Sequence, residues 1–436
     1  PRLGSIFIPL LRMAPAAYGP NNSLARQDAL SPRVISNAVA HQSAAVFNDR
    51  NLSDFIWQWG QFIDHDIDLT EFQSPEEAAP IPIPLGDAHF DPFSVGDKLM
   101  PFSRSIHSIS LFRTSRREQL NEITAYIDAS NVYGSSLDRA NLLRTFADGK
   151  LRTSDGGDFG VLLPMNDSGS QFLAGDIRAG EQAGLSCMHT LFMREHNRIA
   201  SELKAGNGNL SDEEIYHRAR KKVYAILEAI TYNEWLPALL GPDHPLSPYQ
   251  GYDNGVMPNI ANEFSTAAFR IGHTMLSNQL LRMDNDGNPI DAGHILLREA
   301  FFNPVVVQTV GIDCYLKGLA TQRSQEIDHQ VISGVRNFLF ANQPETPLGI
   351  DLAAMNIQRG REHGLPDFIA VRIAYGLPAL NSFEELTSNP LLQAQLASVY
   401  PSIDDLDPWV GFLAEDHAEN SSLGISTITA LKDQYE

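Results

Sequence analysis

The 436-residue sequence contains only two cysteines, Cys187 and Cys314. At most one intrachain disulfide can form, so the chain is not a disulfide-stapled scaffold. Neither a CxxC pair nor a Cys/His zinc spacing can be built from them, which excludes structural zinc and thiolate-held iron–sulfur sites. Stability must come from a packed apolar core, for which a hydrophobic content of 43% is sufficient.

Positive charge is also scarce, since 32 Lys and Arg residues stand against 53 Asp and Glu residues and give a net charge of −21. Nucleic acids and anionic membranes are bound through clustered Lys and Arg, so this balance argues against both partners. No apolar run approaches the ~18 residues of a membrane-spanning helix. The chain opens with Pro1-Arg2-Leu3 rather than Met and a signal segment, which indicates a processed protein or an excised domain.

Apolar residues recur at helical spacing in six segments. These segments are Leu52–Leu69, Cys187–Leu203, Ile215–Leu236, Phe264–Leu276, Ile327–Phe340 and Leu391–Val399. The expected boundaries are capping boxes at Ser211 with Glu214 and Ser382 with Glu385, and helix ends at Pro237 and Pro401. Because no repeat or linker-like tract interrupts the pattern, the sequence predicts one large, mainly α-helical domain over residues 1–436 with little β-structure.

Long segments rich in Gly, Pro and other turn residues separate these helices, at 73–102, 152–184 and 240–259. Such segments are too long for the connections of a simple helical bundle. Long ordered loops in a compact domain more often line a functional site or cover a bound group. We therefore expect ordered loops around a site.

A polar stripe runs along the predicted helix at 57–70, formed by Gln58, Gln61, His65 and Asp68. A stripe of this kind faces either water or a pocket. Gly60 costs about 1 kcal/mol inside a helix relative to Ala, which indicates that something bulky passes close to it. An imidazole flanked by carboxylates in Asp64-His65-Asp66 suits proton transfer with metal binding nearby.

The segment Gly-Gln-Phe-Ile-Asp-His-Asp-Ile-Asp-Leu-Thr at 60–70 resembles the distal-histidine motif of the animal-type haem peroxidases, within the peroxidase–cyclooxygenase superfamily. The resemblance implies that haem b is buried between core helices and long loops. It further implies that Gln61 and His65 lie above the iron. Asp64 would then form an ester with a haem methyl, and Asp66 would bind a calcium ion.

The segment Gly-Asp-Ile-Arg-Ala-Gly-Glu-Gln at 175–182 is similar to the family stretch that supplies the catalytic arginine, here Arg178, and a second haem-esterifying carboxylate, here Glu181. By spacing alone the two would be an ordinary surface pair. Gln182 stands where myeloperoxidase has the methionine of a third, sulfonium link to haem. The resemblance therefore gives no ground for a third link or for chloride oxidation.

Residues 124–130 offer oxygen donors at alternate positions: Thr124, the Tyr126 carbonyl, Asp128 and Ser130. From the pattern alone this segment is a short strand ending in a turn. It resembles the calcium loop of the family, and together with Asp66 it would supply oxygens for an ion that takes about six to eight of them. The resemblance thus implies one bound calcium ion.

The segment Ala-Phe-Arg-Ile-Gly-His-Thr-Met at 268–275 places Arg270 and His273 one helical turn apart. A lone helical histidine is more often a core residue, but the resemblance makes His273 the axial iron ligand and Arg270 a haem-pocket residue. The segment 351–366 resembles the family signature in which Asn356 accepts a hydrogen bond from that histidine and Arg359 lies near a haem propionate. His189 is interpreted as a packing residue on its helix.

The matched segments follow the family order from residue 52 to residue 366. They imply an enzyme that reduces hydrogen peroxide, with His65 moving the proton and Arg178 and Gln61 stabilising the separating charge. An oxyferryl intermediate would then oxidise small anions (bromide, iodide, thiocyanate) or aromatic, phenol-like one-electron donors.

Two alternatives remain open at this point. A fatty-acid dioxygenase of the cyclooxygenase kind would carry a tyrosine three residues before the proximal histidine, where this chain has Arg270. A peroxidase-fold adhesion module without haem would not need the intact set of His65, Arg178 and His273. Relatives continue past residue 436, so the C-terminal end is expected to be truncated. The low cysteine count favours a bacterial homologue of myeloperoxidase- and peroxidasin-like enzymes, and we expect a secreted, extracellular protein of undetermined oligomeric state.

Overall fold

The computed structural model describes residues 4–109, 116–341, 346 and 348–436. Helix predominates, at 42% against 10% strand, which confirms the mainly α prediction. The α-helices are α1 (Pro32–Val39), α2 (Phe55–Ile67), α3 (Ser130–Tyr133), α4 (Leu137–Leu143), α5 (Ala183–Gly206), α6 (Asp212–Ile230), α7 (Leu236–Leu240), α8 (Asn262–Thr266), α9 (Leu297–Ala300), α10 (Val305–Gln308), α11 (Asp313–Thr321), α12 (Ser333–Arg336), α13 (Leu352–Glu362), α14 (Phe368–Ala374), α15 (Phe383–Leu386), α16 (Pro390–Val399), α17 (Pro408–Ala414) and α18 (Ile425–Tyr435).

The strands are short and pair only in antiparallel fashion within the described ranges. They are β1 (Ile8–Pro9), β2 (Ile81–Pro82), β3 (Leu99–Met100), β4 (His107–Ile109), β5 (Arg117–Asn121), β6 (Ser154–Asp155), β7 (Val161–Leu162), β8 (Gln279–Leu280) and β9 (Ile295–Leu296). The order β1-β5-β4 forms a three-stranded sheet, and β2-β3, β6-β7 and β8-β9 form pairs. Most of these strands lie in the long segments between helices, where they stiffen loops rather than build a separate layer.

Most long periodic segments are helices as predicted. α2, α5 and α16 agree with the expected segments, and the capping box of Ser211 with Glu214 begins α6. Pro237 does not end a helix, because the chain passes through a π-helical turn at Thr231–Trp235 and Pro237 occupies the first turn of α7. The wider π-helical turn before it accommodates this proline, which has no N–H to donate to the preceding turn.

Three further helix predictions are wrong. The expected helix at Ile327–Phe340 is reduced to α12, because the chain before it forms bridges, among them Val331 with His41. Ser382 begins α15 without a side-chain cap. The expected helix at 264–276 is broken at Ala267, whose φ of −132° and ψ of −66° separate α8 from a 3₁₀-helix at Ala268–His273.

The broken segment is central to the architecture. The 3₁₀-helix packs against α2, α8, α13, α17 and α18. One connected cluster of buried apolar side chains extends from Leu10 to Tyr435 around this point. The bulky neighbour expected at Gly60 is the indole of Trp235, which a Cβ at position 60 would meet at 3.3 Å. In the described part of the chain, none of the helices combines the length and apolarity needed to cross a membrane.

Candidate active site

The polar stripe of α2 lies inside the protein rather than toward solvent. Gln58 is fully buried and His65 is 5% exposed. Aromatic residues on the other faces of the helix, including Trp59 and Phe62, pack into the core and fix its rotation. Of the two possibilities for this stripe, exposure to water is therefore wrong. Its side chains point into the protein.

Arg178 lies in the loop before α5 and is clamped in place by Asp176. The two carboxylate oxygens of Asp176 accept hydrogen bonds from Nε and Nη2 of Arg178 at 2.9 and 2.8 Å, and Nη2 also donates to the Asp68 carbonyl at 2.8 Å. Burial alone would raise the pKa of Asp176, but the guanidinium of Arg178 holds it at about 2. Nη1 of Arg178 lies 3.8 Å from Asp64. The guanidinium is thus fixed with one edge on Asp176 and the other toward Asp64.

His65 lies beside the same carboxylate. Its Nδ1 is 3.6 Å from Oδ1 of Asp176, too long for a hydrogen bond, and is buried without a hydrogen-bond partner among the described residues. Burial, and secondarily the charge of Arg178, lower the pKa of His65 well below its usual range. The imidazole is therefore held neutral and close to the clamped arginine.

Several polar side chains near Arg178 are surrounded by protein and still keep part of their surface accessible. Asp64 and Arg178 keep 30% and 22% of their side-chain surface accessible, and Glu181 is also partly accessible. Burial raises the pKa of Asp64 to about 7 and that of Glu181 to about 7, although Arg178 opposes both shifts. Carboxyl groups whose charged form is disfavoured fit conversion into neutral esters.

His273 and Asn356 meet as expected, but with the opposite hydrogen-bond direction. Nδ2 of Asn356 donates to Nδ1 of His273 at 2.8 Å, because Nη1 of Arg270 donates to Oδ1 of the same amide at 3.3 Å. The sequence had predicted that Asn356 accepts. Burial, then the charge of Arg270, lower the pKa of His273 to about 3. The ring is neutral, as a metal-binding imidazole must be.

His273 and His65, which are predicted to lie on opposite sides of the haem, are carried by neighbouring elements. The 3₁₀-helix that carries His273 packs against α2. The positive charges of Arg178 and Arg270 both lower the pKa of Asp64, so the two arginines approach this carboxyl from the distal and proximal segments. A neutral imidazole, two carboxyls and two arginines whose charges act on one another form a donor set that fits a propionate-bearing iron porphyrin.

Arg359 is buried beside Glu362, which lies one turn further along the same helix, α13. Its Nη1 donates to the Ser103 carbonyl, to Oγ of Ser105 and to Oε2 of Glu362 at 3.1, 2.7 and 2.8 Å. Its guanidinium also lies 4.2 Å from the ring centroid of Phe102. These contacts hold Arg359 rigidly within the protein.

The predicted calcium residues converge around Asp66. Oγ of Ser130 donates to Oδ1 of Asp66 at 2.9 Å, while Oδ1 of Asp128 accepts from Oγ1 of Thr124 at 3.2 Å. The Tyr126 carbonyl accepts from the Asp128 amide at 2.9 Å. Burial, and then the charge of Asp128, raise the pKa of Asp66 to about 8. No strand forms here; α3 begins at Ser130.

The predicted calcium site, formed by Asp66 and residues 124–130, contains two carboxylates and several neutral oxygens. Within the described ranges no group of three or more acidic, histidine or cysteine side chains could hold a metal ion. Calcium accepts carbonyl and hydroxyl oxygens beside carboxylates, and two neighbouring carboxylates favour a cation. The chemistry of these donors fits calcium better than a transition metal.

Sequence reasoning missed Asp176 and the glutamine contacts of α2. Asp176 stands two residues before Arg178, a spacing that lets one carboxylate accept from both the backbone and the guanidinium of the arginine. That local spacing was the available signal. His189 is a core residue of α5 beside Phe62, as interpreted. Cys187 and Cys314 are buried and unpaired.

Comparison with known proteins identifies the family. The family model described as animal haem peroxidase matches residues 1–436. The chain belongs to the animal haem peroxidase family. Peroxinectin A of Dictyostelium discoideum is 32% identical across 100% of this chain and 84% of its own length. As a family member, the chain is a haem-dependent peroxidase.

Further relatives of this peroxidase differ in length. The human peroxidasin homologue is 35% identical over 93% of the chain, but the match spans only 30% of that protein. Peroxidase A from Dictyostelium discoideum superposes with a TM-score of 0.92 at 30% identity and covers 100% of this chain and 87% of the other. The Oryza sativa fatty acid alpha-dioxygenase, at a TM-score of 0.83 and 22% identity over 99% of this chain and 75% of its own, shows the fold alone. The relatives named here are eukaryotic, so a bacterial origin stays a prediction.

Proposed function

We propose that this peroxidase reduces hydrogen peroxide in the cleft between α2 and the 3₁₀-helix, with His65, Arg178 and Gln61 as its catalytic residues. The observation that carries the proposal is the arrangement of His65 and Arg178 around Asp176, with contacts of 3.6 and 2.8 Å. A neutral imidazole beside a fixed guanidinium provides a proton acceptor and a positive charge for one small ligand.

His273 would hold the haem iron through Nε2, since Asn356 engages the other ring nitrogen. An iron on Nε2 requires the proton on Nδ1, so the Asn356 amide would then turn its oxygen to the ring, and Nη1 of Arg270 would give up its hydrogen bond to that oxygen. Asp64 and Glu181 are proposed as the ester-forming carboxyls, and Arg270 and Arg359 as the partners of the propionates. When bound, the haem supplies the redox chemistry that splits the peroxide bond.

The protein's own contribution is proton transfer and charge stabilisation. Nε2 of His65 takes the proton from one peroxide oxygen and delivers it to the other, which then leaves as water. Arg178, held by Asp176, presents Nη1 to the oxygen that gains negative charge. Because the arginine is fixed before peroxide enters, no reorganisation is needed during the step.

The electron donors are proposed to be small anions, namely bromide, iodide and thiocyanate, or phenol-like aromatic molecules. Support comes from Arg178 and Arg270, whose positive charges both act on Asp64 and favour an anion nearby. Purified protein should show a Soret band and peroxide-dependent oxidation of guaiacol and bromide. Haem-loaded protein that oxidises neither donor, or that consumes oxygen with a polyunsaturated fatty acid instead, would overturn this assignment.

Asp66, Thr124, Asp128, Ser130 and the carbonyl of Tyr126 are proposed to bind one calcium ion. The support is the convergence of these oxygens around two carboxylates. A calcium ion would remove the repulsion between the carboxylates and tie α2 to the segment before α3.

We further propose that residues 1–436 act as one catalytic domain and that the protein is extracellular. The connected core supports the first proposal. The resemblance to peroxidasin-like enzymes is the support for the second. Fractionation of a culture that expresses the full-length gene product, followed by peroxidase staining of medium and cells, tests the location.

A further inference from the structure

Three glutamine side chains form a hydrogen-bonded group that connects the start of α5 with α2. One of them is the proposed catalytic residue Gln61. Nε2 of Gln182 donates to Oε1 of Gln58 at 2.7 Å and to Oε1 of Gln61 at 3.1 Å. Nε2 of Gln58 approaches Oε1 of Gln61 at 3.4 Å. Gln58 is fully buried and Gln182 is 3% exposed, so water does not compete for these bonds.

The orientation of all three glutamine amides follows from one backbone group, the N–H of Gly184. The N–H of Gly184 donates to Oε1 of Gln182 at 2.6 Å, and a backbone N–H cannot act as an acceptor. Oε1 of Gln182 is therefore fixed toward Gly184, and its NH₂ group must point to the other two glutamines. These in turn must present oxygen rather than nitrogen to it.

The oxygen of Gln61 is thus occupied by its two glutamine partners, and its NH₂ group is the end left to bind a ligand. Gln61 is partly accessible, unlike its two glutamine partners. The absence of a side chain at Gly184 is part of the arrangement, because a Cβ there would collide with Oε1 of Gln58. The first turn of α5 is shaped around these amides.

We propose that Gln182 is a positioning residue that sets the amide direction of Gln61, so that Gln61 donates hydrogen bonds to an acceptor ligand in the cleft. Gln182 itself need not touch the ligand. The ligand class is one that carries lone pairs and no proton to donate, such as an anion or a deprotonated oxygen. This inference rests on the proposed catalytic role of Gln61.

The test measures the affinity of the haem-loaded enzyme for fluoride, an anion that accepts hydrogen bonds. Gln182→Leu removes the donor without offering a sulfur to the haem, and Gln182→Glu removes it while keeping an acceptor for Gly184. Each is made alone and with Gln61→Ala, which forms a double-mutant cycle that subtracts the added charge and any general loosening. Haem content and thermal midpoint are recorded for every variant.

We expect Gln182→Leu to raise the fluoride Kd about 3- to 10-fold, the net effect of one hydrogen bond, and to change it less than about 2-fold when Gln61 is already Ala. The charge-transfer band of the fluoride complex should shift in the same variants, since its energy responds to hydrogen bonds at the bound anion. A role limited to capping α5 would lower the thermal midpoint of Gln182→Leu, spare Gln182→Glu and leave the band in place.

Equal effects of Gln182 substitution in both backgrounds would overturn the inference, while Gln61 could still act in catalysis. If Gln61→Ala itself leaves the fluoride Kd and the band unchanged, the proposed ligand contact of Gln61 fails first, and the role of Gln182 falls with it. The single variant Gln61→Ala therefore separates the two failures.

Discussion

Asp176 binds Arg178 through both carboxylate oxygens, at 2.9 and 2.8 Å, and also accepts the Arg178 backbone N–H at 2.8 Å. The same carboxylate lies 3.6 Å from His65. One buried acidic side chain therefore sets the position of the guanidinium and borders the imidazole. A neutral side chain at this position would leave a buried arginine without its counter-charge.

The substitution Asp176→Asn should lower the rate of the reaction with peroxide by at least about 10-fold, because small displacements of a positioning group have effects of this size. The loss of the ion pair should also destabilise the fold by about 3 kcal/mol. Stopped-flow rates per haem and thermal unfolding measure the two effects.

A matched control is Glu415→Gln, which removes the buried carboxylate partner of Arg372. This pair is distant in sequence from His65 and Arg178. It should lower the thermal midpoint without changing the peroxide rate per haem. If both variants slow the reaction equally, the effect of Asp176 is general destabilisation rather than positioning.

His65→Ala should reduce the rate of peroxide reduction by about 10²- to 10⁴-fold, the contribution of a positioned acid–base group. Haem binding should persist, because His273 and not His65 is the proposed iron ligand. The Soret band reports haem content and rapid mixing reports the rate. A variant that reacts at the wild-type rate contradicts the proton-transfer role.

Asp64→Asn and Glu181→Gln should each remove one ester, since an amide cannot form the proposed link. Each single variant should retain haem through acid extraction, whereas the double variant should release it. Pyridine-haemochrome spectra before and after extraction, with and without prior peroxide, measure the bound fraction. Complete release of haem from the wild-type protein would show that neither ester forms.

Chelation of calcium should destabilise the protein if Asp66 and its neighbours bind the ion. A ligand at about 100 times its Kd stabilises a fold by about 2.7 kcal/mol, so the loss should be visible as a lower thermal midpoint. Asp66→Asn should abolish the response to chelator, while Asp286→Asn, in an exposed turn, should keep it. An unchanged midpoint with chelator in the wild type contradicts the site.

Asp407 should control part of the acid stability. Burial alone would raise its pKa, but Arg361 and Arg26 outweigh burial and hold it at about 2, below the usual 3.8. A carboxyl with a depressed folded pKa stabilises above its unfolded pKa, and this contribution of about 2 kcal/mol disappears as pH falls from about 4 to about 2.

Asp407→Asn should lower the thermal midpoint at pH 6 and flatten its decline between pH 4 and pH 2. Asp404→Asn, at an exposed position nearby, serves as the control and should keep the wild-type slope. An unaltered decline in Asp407→Asn would mean that other carboxyls account for acid unfolding.

The helical class, the long helices and the family membership were accessible from the sequence, because periodicity and consecutive motif residues are local properties. The Ser211 capping box is a local signal of the same kind. The segment at 327–340 failed for the opposite reason: its apolar spacing is helical, but bridges such as Val331 with His41 recruit it into another structure. Packing between distant segments overrides periodicity there.

The sequence by itself determined which side chains of α2 share one face, since helical geometry follows from spacing alone. Only the tertiary structure decided that this face is buried, that Asp176 clamps Arg178, and that Arg270 turns the amide of Asn356 toward His273. The physical reason is that the direction of a buried hydrogen bond depends on every donor and acceptor around it. Those partners come from segments far apart in the chain.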